Sequence, residues 1–187
     1  VGAVRSGQGN VPDKVESAAA MQITLASAAV LSARALHFTG PFQNGGLMPP
    51  RAESATQYTI EWTVKNSSNA IANAVVSTVL PTYVTFVSAG AGSGITYEPG
   101  SRTVKWNAGE LKAGVGYSSA ARVAAFQISL NPSTSQVGLT PMLTGTAALS
   151  GTDRFAQVAV RATVEAPTTR LGESGVGAGM DIVQPKQ

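Results

Sequence analysis

The sequence predicts an all-β fold, an antiparallel β-sandwich with extended N- and C-terminal arms. Three observations predict it. Apolar and polar residues alternate with period 2 in several short runs, the mark of strands with one face in a core and one in water. Turn residues punctuate these runs at short intervals. No clear helical period lies between them, so the parallel sheets of βαβ units are not expected.

Residues 58–87 carry the clearest pattern. Tyr58, Ile60, Trp62 and Val64 alternate with Thr59, Glu61, Thr63 and Lys65. Asn66 to Asn69 break the run with residues that bond their own backbone in turns. A second strand follows over Ala72 to Leu80, rich in β-branched residues, and Pro81 stops it because proline cannot donate to a ladder. Extended structure resumes at Val84 to Val87. Upstream, 13–38 fits two patterns. Ala and Leu favour a helix that Asp13 would cap, but that helix lacks a clean polar face. The favoured reading is a long strand over about 21–38, with a short helical turn near 13–20. The loop 40–54 carries Pro41, Asn44-Gly45-Gly46 and Pro49-Pro50.

Downstream, a glycine-rich turn at Ala89 to Gly94 leads to short strands at Ile95 to Tyr97 and Arg102 to Trp106. A loop is expected over Asn107 to Gly116. Further strands are expected at Arg122 to Leu130, Met142 to Ser150 and Phe155 to Glu165, with Gly151-Thr152-Asp153 as the turn between the last two. Residues 166–179 read as a linker and Met180 to Val183 as a last short strand. About seven main strands between Tyr58 and Glu165 make an immunoglobulin-like sandwich. The division is then an N-terminal arm over 1–54, a sandwich over 55–166 and a C-terminal arm over 167–187.

Composition narrows the function. The chain has 187 residues, 43% hydrophobic but only 12% charged, against ~25% charged in an average protein. Small hydroxyl and apolar residues fill the gap. Such a surface suits packing against copies of itself, or exposure outside a cell. The net charge of +3 comes without a run of Lys or Arg, so the clustered footprint of a nucleic-acid binder is missing. There is no cysteine, which excludes disulfides, thiolate metal sites and cysteine nucleophiles. No apolar run reaches the ~20 residues of a helical membrane span. The chain begins at Val1 rather than Met, and the expectation is an exported protein processed at its N-terminus or released from a longer precursor.

Reaction chemistry is sparse. His37 is the sole histidine and reads as a packing residue. No nucleophile-elbow motif occurs, and the acids are dispersed without a calcium-loop pattern. Gly90 to Gly94 is followed by no lysine and reads as a turn. No enzyme activity, cofactor or metal is expected. Asn66-Ser67-Ser68 matches the glycosylation sequon, but a simple turn is the better reading. An isopeptide bond from Lys65 or Lys105 has no visible buried acid to support it. Trp62 and Trp106 belong to alternating strands and are expected in the core.

Several pieces together resemble a known family. They are Tyr58-Thr59-Ile60, Val64-Lys65-Asn66, Ala74-Val75-Val76 leading to Leu80-Pro81, and Val84 to Ser88. Val104-Lys105-Trp106-Asn107, Gly109-Glu110-Leu111 and Ala113-Gly114 follow. Over roughly 56–130 the chain resembles the immunoglobulin-like repeat of large prokaryotic cell-surface proteins, a conserved domain of unknown function (number eleven). The resemblance implies a surface-exported sandwich acting in adhesion, spacing or envelope structure, with no catalytic residues.

The leading expectation is a structural subunit of an extracellular filament, pilus or surface layer, whose partners are copies of itself. Open sheet edges accept strands from other chains. The candidate donor residues are Met21, Ile23, Leu25, Ala29 and Leu31 in the N-terminal arm, and Met180 and Ile182 in the C-terminal arm. The alternative is a monomeric adhesin-type module at the end of a large cell-surface protein, recognising a glycan or protein, on a host or neighbouring-cell surface, through loops 40–54 and 107–121.

Overall fold

A computed structural model describes residues 27–186. Among the described residues nine strands run in order: β1 (Ala29–Leu36), β2 (Thr56–Asn66), β3 (Ile71–Val79), β4 (Val84–Ala89), β5 (Ile95–Glu98), β6 (Thr103–Leu111), β7 (Arg122–Leu130), β8 (Ala147–Asp153) and β9 (Ala159–Val164). They form two sheets, one in the order β1-β2-β7-β4 and the other β5-β6-β3-β8-β9. Every strand pairing is antiparallel. This is the expected immunoglobulin-like sandwich.

The alternation in β2 sets the core. Tyr58, Ile60, Trp62 and Val64 are fully buried. Phe126, Ile128 and Leu130 face them from β7, and the rings of Trp62 and Phe126 meet edge-on at 4.9 Å. The second sheet supplies Val76, Val104, Trp106 and Leu149. Both tryptophans therefore pack in the core rather than offering a stacking surface.

Several boundaries differ from expectation: the strand expected from Phe155 begins only at Ala159, after a turn in which Phe155 and Ala156 donate to Asp153, and four others have local reasons. In β3 the buried positions step from Ile71 to Ala74 and then alternate through Val76 and Thr78. The extra residue is absorbed at a bulge where Asn73 has φ 53°, a left-handed conformation that Asn tolerates. β6 continues to Leu111 instead of yielding to a loop at Asn107. Gly109, with φ 72°, takes up a second bulge and keeps Leu111 in the core. Gly151-Thr152-Asp153 belong to β8 rather than to a turn. A Cβ on Gly151 would lie 2.6 Å from the Ile71 side chain, so glycine there permits close approach of β8 to β3. The expected strand at Met142 begins only at Ala147, because Leu143 N–H bonds the Pro167 carbonyl and Gly145 N–H bonds that of Val79.

The pairing registers give the sandwich two distinct ends. At one end lie the connections 67–70, 90–94, 112–121 and 154–158, together with Ser27, where the described chain enters. At the other lie the longer connections 37–55 and 131–146 and the segment 165–186. These are the entry end and the far end.

Trp62→Ala removes a fully buried indole from the middle of β2. It is expected to cost about 3–5 kcal/mol of unfolding free energy, read from the midpoint of a urea denaturation curve.

Candidate functional site

The arms proposed for exchange fall in different places. Met21, Ile23 and Leu25 lie outside the described residues. Ala29 and Leu31 are in β1, which pairs along its whole length with β2 of the same chain, from Ala29 opposite Asn66 to Leu36 opposite Thr59. Leu31 is buried in that chain's own core. Met180 and Ile182 are half-buried in turns, and no strand forms over 180–183. The segment instead packs on the far end of its own sandwich. Val183 exchanges backbone hydrogen bonds with Gly138 and Leu139, Gln184 bonds the backbone at Pro50 and Ala52, and Thr169 bonds Pro141. Val183 and Leu171 are buried. Lys186 reaches Glu53 at 2.8 Å.

A carboxylate locks this segment to the loop after β1. Glu173 accepts from the backbone N–H groups of His37, Phe38 and Thr39, the last at 3.0 Å, and from the Thr39 hydroxyl at 2.7 Å. Successive N–H groups form a concavity for an anion. Burial by itself would raise the carboxyl, but the Thr39 hydroxyl and these amides hold it below its ordinary value. His37 is buried against Phe38 and Tyr58, with Nδ1 2.8 Å from the Gln57 carbonyl oxygen, a packing role. A cleft of about 490 Å3 opens beside it along Gly40 to Asn44.

The entry end is tied by two buried polar side chains. Asn66 Nδ2 lies within 2.7–3.2 Å of the carbonyl oxygens of Asn69, Leu111 and Lys112. The residue is fully buried, so the sequon asparagine is a structural clasp between β2, its following turn and the end of β6. Asp153 accepts from Ser27 N–H at 2.7 Å, Asn69 Nδ2 at 3.1 Å, and the N–H groups of Phe155 and Ala156 at 2.8 Å each. The Ala156 bond leads the set that holds its carboxyl well below the usual carboxylate range, against the opposing effect of burial. Ser27 adds its hydroxyl to the Asn69 carbonyl at 2.7 Å. The point where the chain enters β1 is thereby fastened to the turns on either side.

Lys65 extends over the Tyr117 ring, with Nζ 5.9 Å from its centre, rather than toward a buried acid. Among the described residues no group of three His, Asp or Glu side chains is placed to hold a metal ion. No helix among them is long and apolar enough to cross a membrane. Loop 40–54 starts at the far end and bends back along β7, where Gln127 donates to the Gln43 carbonyl and Pro41 and Phe42 share a cleft with Gly90, Ser93 and Val123, while 107–111 is strand.

Both ends expose large apolar side chains. Phe155 is 67% exposed and Tyr117 61% at the entry end, while Leu139 is 56% and Met142 54% exposed at the far end. Charge differs as well. Near the entry end stand Lys65, Lys112, Arg122 and Arg154, against Glu110 and the buried Asp153. Near the far end stand Arg34, Arg51, Arg102, Lys105, Arg170 and Lys186, against Glu53, Glu98, Glu165, Glu173 and Asp181. The first set is net basic and the second close to balanced.

No protein-family model matches the chain, and no curated protein does. Among solved structures it is similar to a variant of BcpA, the major pilin subunit of Bacillus cereus. That match has 13% identity and a TM-score of 0.47, over 86% of this chain and 41% of that one. It is also similar to the full-length major pilin SpaD from Corynebacterium diphtheriae, with 13% identity and a TM-score of 0.46, over 81% of this chain and 39% of that one. The chain spans less than half the length of either.

Two outcomes follow from the clasp residues. Asp153 has a depressed folded pKa, so its contribution to stability is present above the unfolded value of ~3.9 and is lost as pH falls toward the folded value. Asp153→Asn should therefore lower stability at pH 7 and flatten the acid limb of a plot of urea midpoint against pH below about 4. Glu173 acts in the same direction and leaves a residual slope. Asn66→Leu removes the amide that three carbonyls share, that of Leu111 buried, and should cost about 1–3 kcal/mol, while intact mass of the original protein after expression in a glycosylating host should show no glycan at Asn66.

Proposed function

We propose that this protein is a structural, non-catalytic subunit of an extracellular filament or surface layer, polymerising through its N-terminal arm. The observation that carries the reading is where the arm begins. The chain is fastened at Ser27 to Asp153 and Asn69, and β1 then completes its own sheet. Twenty-six residues precede that anchor, and they include Met21, Ile23 and Leu25, alternating with Gln22 and Thr24. An alternating sequence of this kind suits an open sheet edge in another copy. The two sheets leave β1, β4, β5 and β9 as their edge strands. β5 has only four residues and β4 carries a bulge at Val87, features that discourage unintended pairing. Low surface charge and the resemblance of 56–130 to a prokaryotic surface repeat support an extracellular setting.

The deletion that tests this removes residues 1–26 and spares β1, whose loss would open the sandwich. Negative-stain electron microscopy of the full chain should show polymers, and the shortened chain should stay monomeric with an unchanged β-sheet circular dichroism spectrum. A full chain that remains a discrete monomer at all concentrations would overturn the reading, as would polymers unaffected by the deletion.

A further inference from the structure

Of the seven asparagines in the chain, only Asn44 is followed by glycine. We propose that Asn44–Gly45 is a self-modification site. The Gly45 nitrogen closes on the Asn44 side chain, ammonia is lost, and loop 40–46 is released from the sheet it covers. This chemistry is independent of the filament reading.

Two features of the loop point to it. The first is glycine where the fold does not need one. Gly46 has φ 102°, and a Cβ there would lie 2.6 Å from both the Ala55 carbonyl oxygen and Thr56 Cα, so glycine is required. Gly45 has no left-handed φ, and a Cβ on it would meet only Gln57 Oε1, at an ordinary 3.4 Å. What the missing side chain supplies at 45 is an unhindered backbone nitrogen beside an asparagine amide, a thermally labile group.

The second is how the reacting groups are held. Asn44 Nδ2 donates to Thr59 Oγ1 at 3.0 Å and to the carbonyls of His37 at 3.1 Å and Leu36 at 3.4 Å. Its Oδ1 accepts from Gln127 Nε2 at 3.0 Å. Gly45 N–H donates to Gln57 Oε1 at 2.9 Å, and its carbonyl accepts from Gln57 N–H at 2.8 Å. The attacking nitrogen and the carbon it attacks are both pinned while the loop is docked. Reaction therefore waits for local opening, and the Gln57 side chain controls it by holding the nitrogen.

The step balances with water as its only co-reactant. Gly45 N loses its proton and bonds to Asn44 Cγ, the Cγ–Nδ2 bond breaks, and Nδ2 leaves as ammonia with that proton. Water then opens the five-membered imide at either carbonyl, giving aspartate or isoaspartate. Nothing is oxidised or reduced, and loss of ammonia makes the change one-way. The product cannot dock as before. A carboxylate has only acceptors, and these would face the carbonyls of Leu36 and His37. In isoaspartate an added backbone methylene also shifts Gly45 away from Gln57. Pro41 and Phe42, which line the clefts beside both His37 and Val123, move with the loop.

The full chain is incubated at mildly alkaline pH, where Gly45 N loses its proton more readily. Ammonia release and isoaspartate mapping should place a slow reaction at Asn44. Gln57→Ala, at an outward strand position, should speed it roughly fivefold, the effect of one ordinary hydrogen bond. Gly45→Ala should stop it over the same interval with an unchanged circular dichroism spectrum. Asn44→Asp, which installs one product, should raise hydrogen exchange at Gln57 N–H and open loop 40–46 to protease. Asn44 left intact in both the original chain and Gln57→Ala would overturn the site, as would equal rates in the two. Unchanged Gln57 exchange in Asn44→Asp would overturn the release.

Discussion

The inner face of β2 is the constraint on which the rest of the sandwich depends. Tyr58, Ile60, Trp62 and Val64 are removed from water completely, and β2 lies between β1 and β7 in its sheet. A slip of one residue in either pairing would turn these four side chains outward and bring Glu61 and Lys65 into the core. Register is therefore set by burial on both sides of β2 at once. β7 answers with Phe126, Ile128 and Leu130, and β1 with Leu31 and Ala35. The opposite sheet then has a continuous apolar surface to pack on, and the bulges at Asn73 and Gly109 keep its own inner face in phase with it.

Strand ends leave backbone groups that need partners, and buried ones are costly when unpaired. At the entry end two side chains answer this need. Asn66 gathers three carbonyls from two segments, and Asp153 gathers N–H groups from two segments together with the Asn69 amide. One supplies donors and the other acceptors, so the end of the sandwich is closed without disulfides. The far end uses the same logic with a different part of the chain. Glu173 closes the loop after β1, while the backbone at Val183 and Gln184 pairs with the connections around it. The segment after β9 is thus an integral cover of that end. Its residues Met180 and Ile182 are half-buried there.

These closures also give the molecule direction. Ser27 is fastened at one end, while the two longest connections, 37–55 and 131–146, and the C-terminal segment begin at the other, and short turns occur at both.

Much of the sandwich was legible in the sequence, because period-2 burial is a local pattern. The strands β2, β4 and β7 follow directly from it, as does the core position of Trp62 and Trp106. Other features depend on partners distant in sequence. Gly151 reads as a turn residue until Ile71 is seen to need its missing side chain. Asn66 reads as an exposed sequon, yet it is buried because Leu111 and Lys112 bring their carbonyls to it from forty-five residues away. Glu173 reads as a linker residue, but backbone N–H groups over 130 positions earlier capture it. Sequence alone determined the alternation, the turns and the absence of thiol chemistry. Only the tertiary structure decided which arm is consumed by its own fold and which polar groups close each end, because those outcomes rest on contacts between segments that local pattern does not encode.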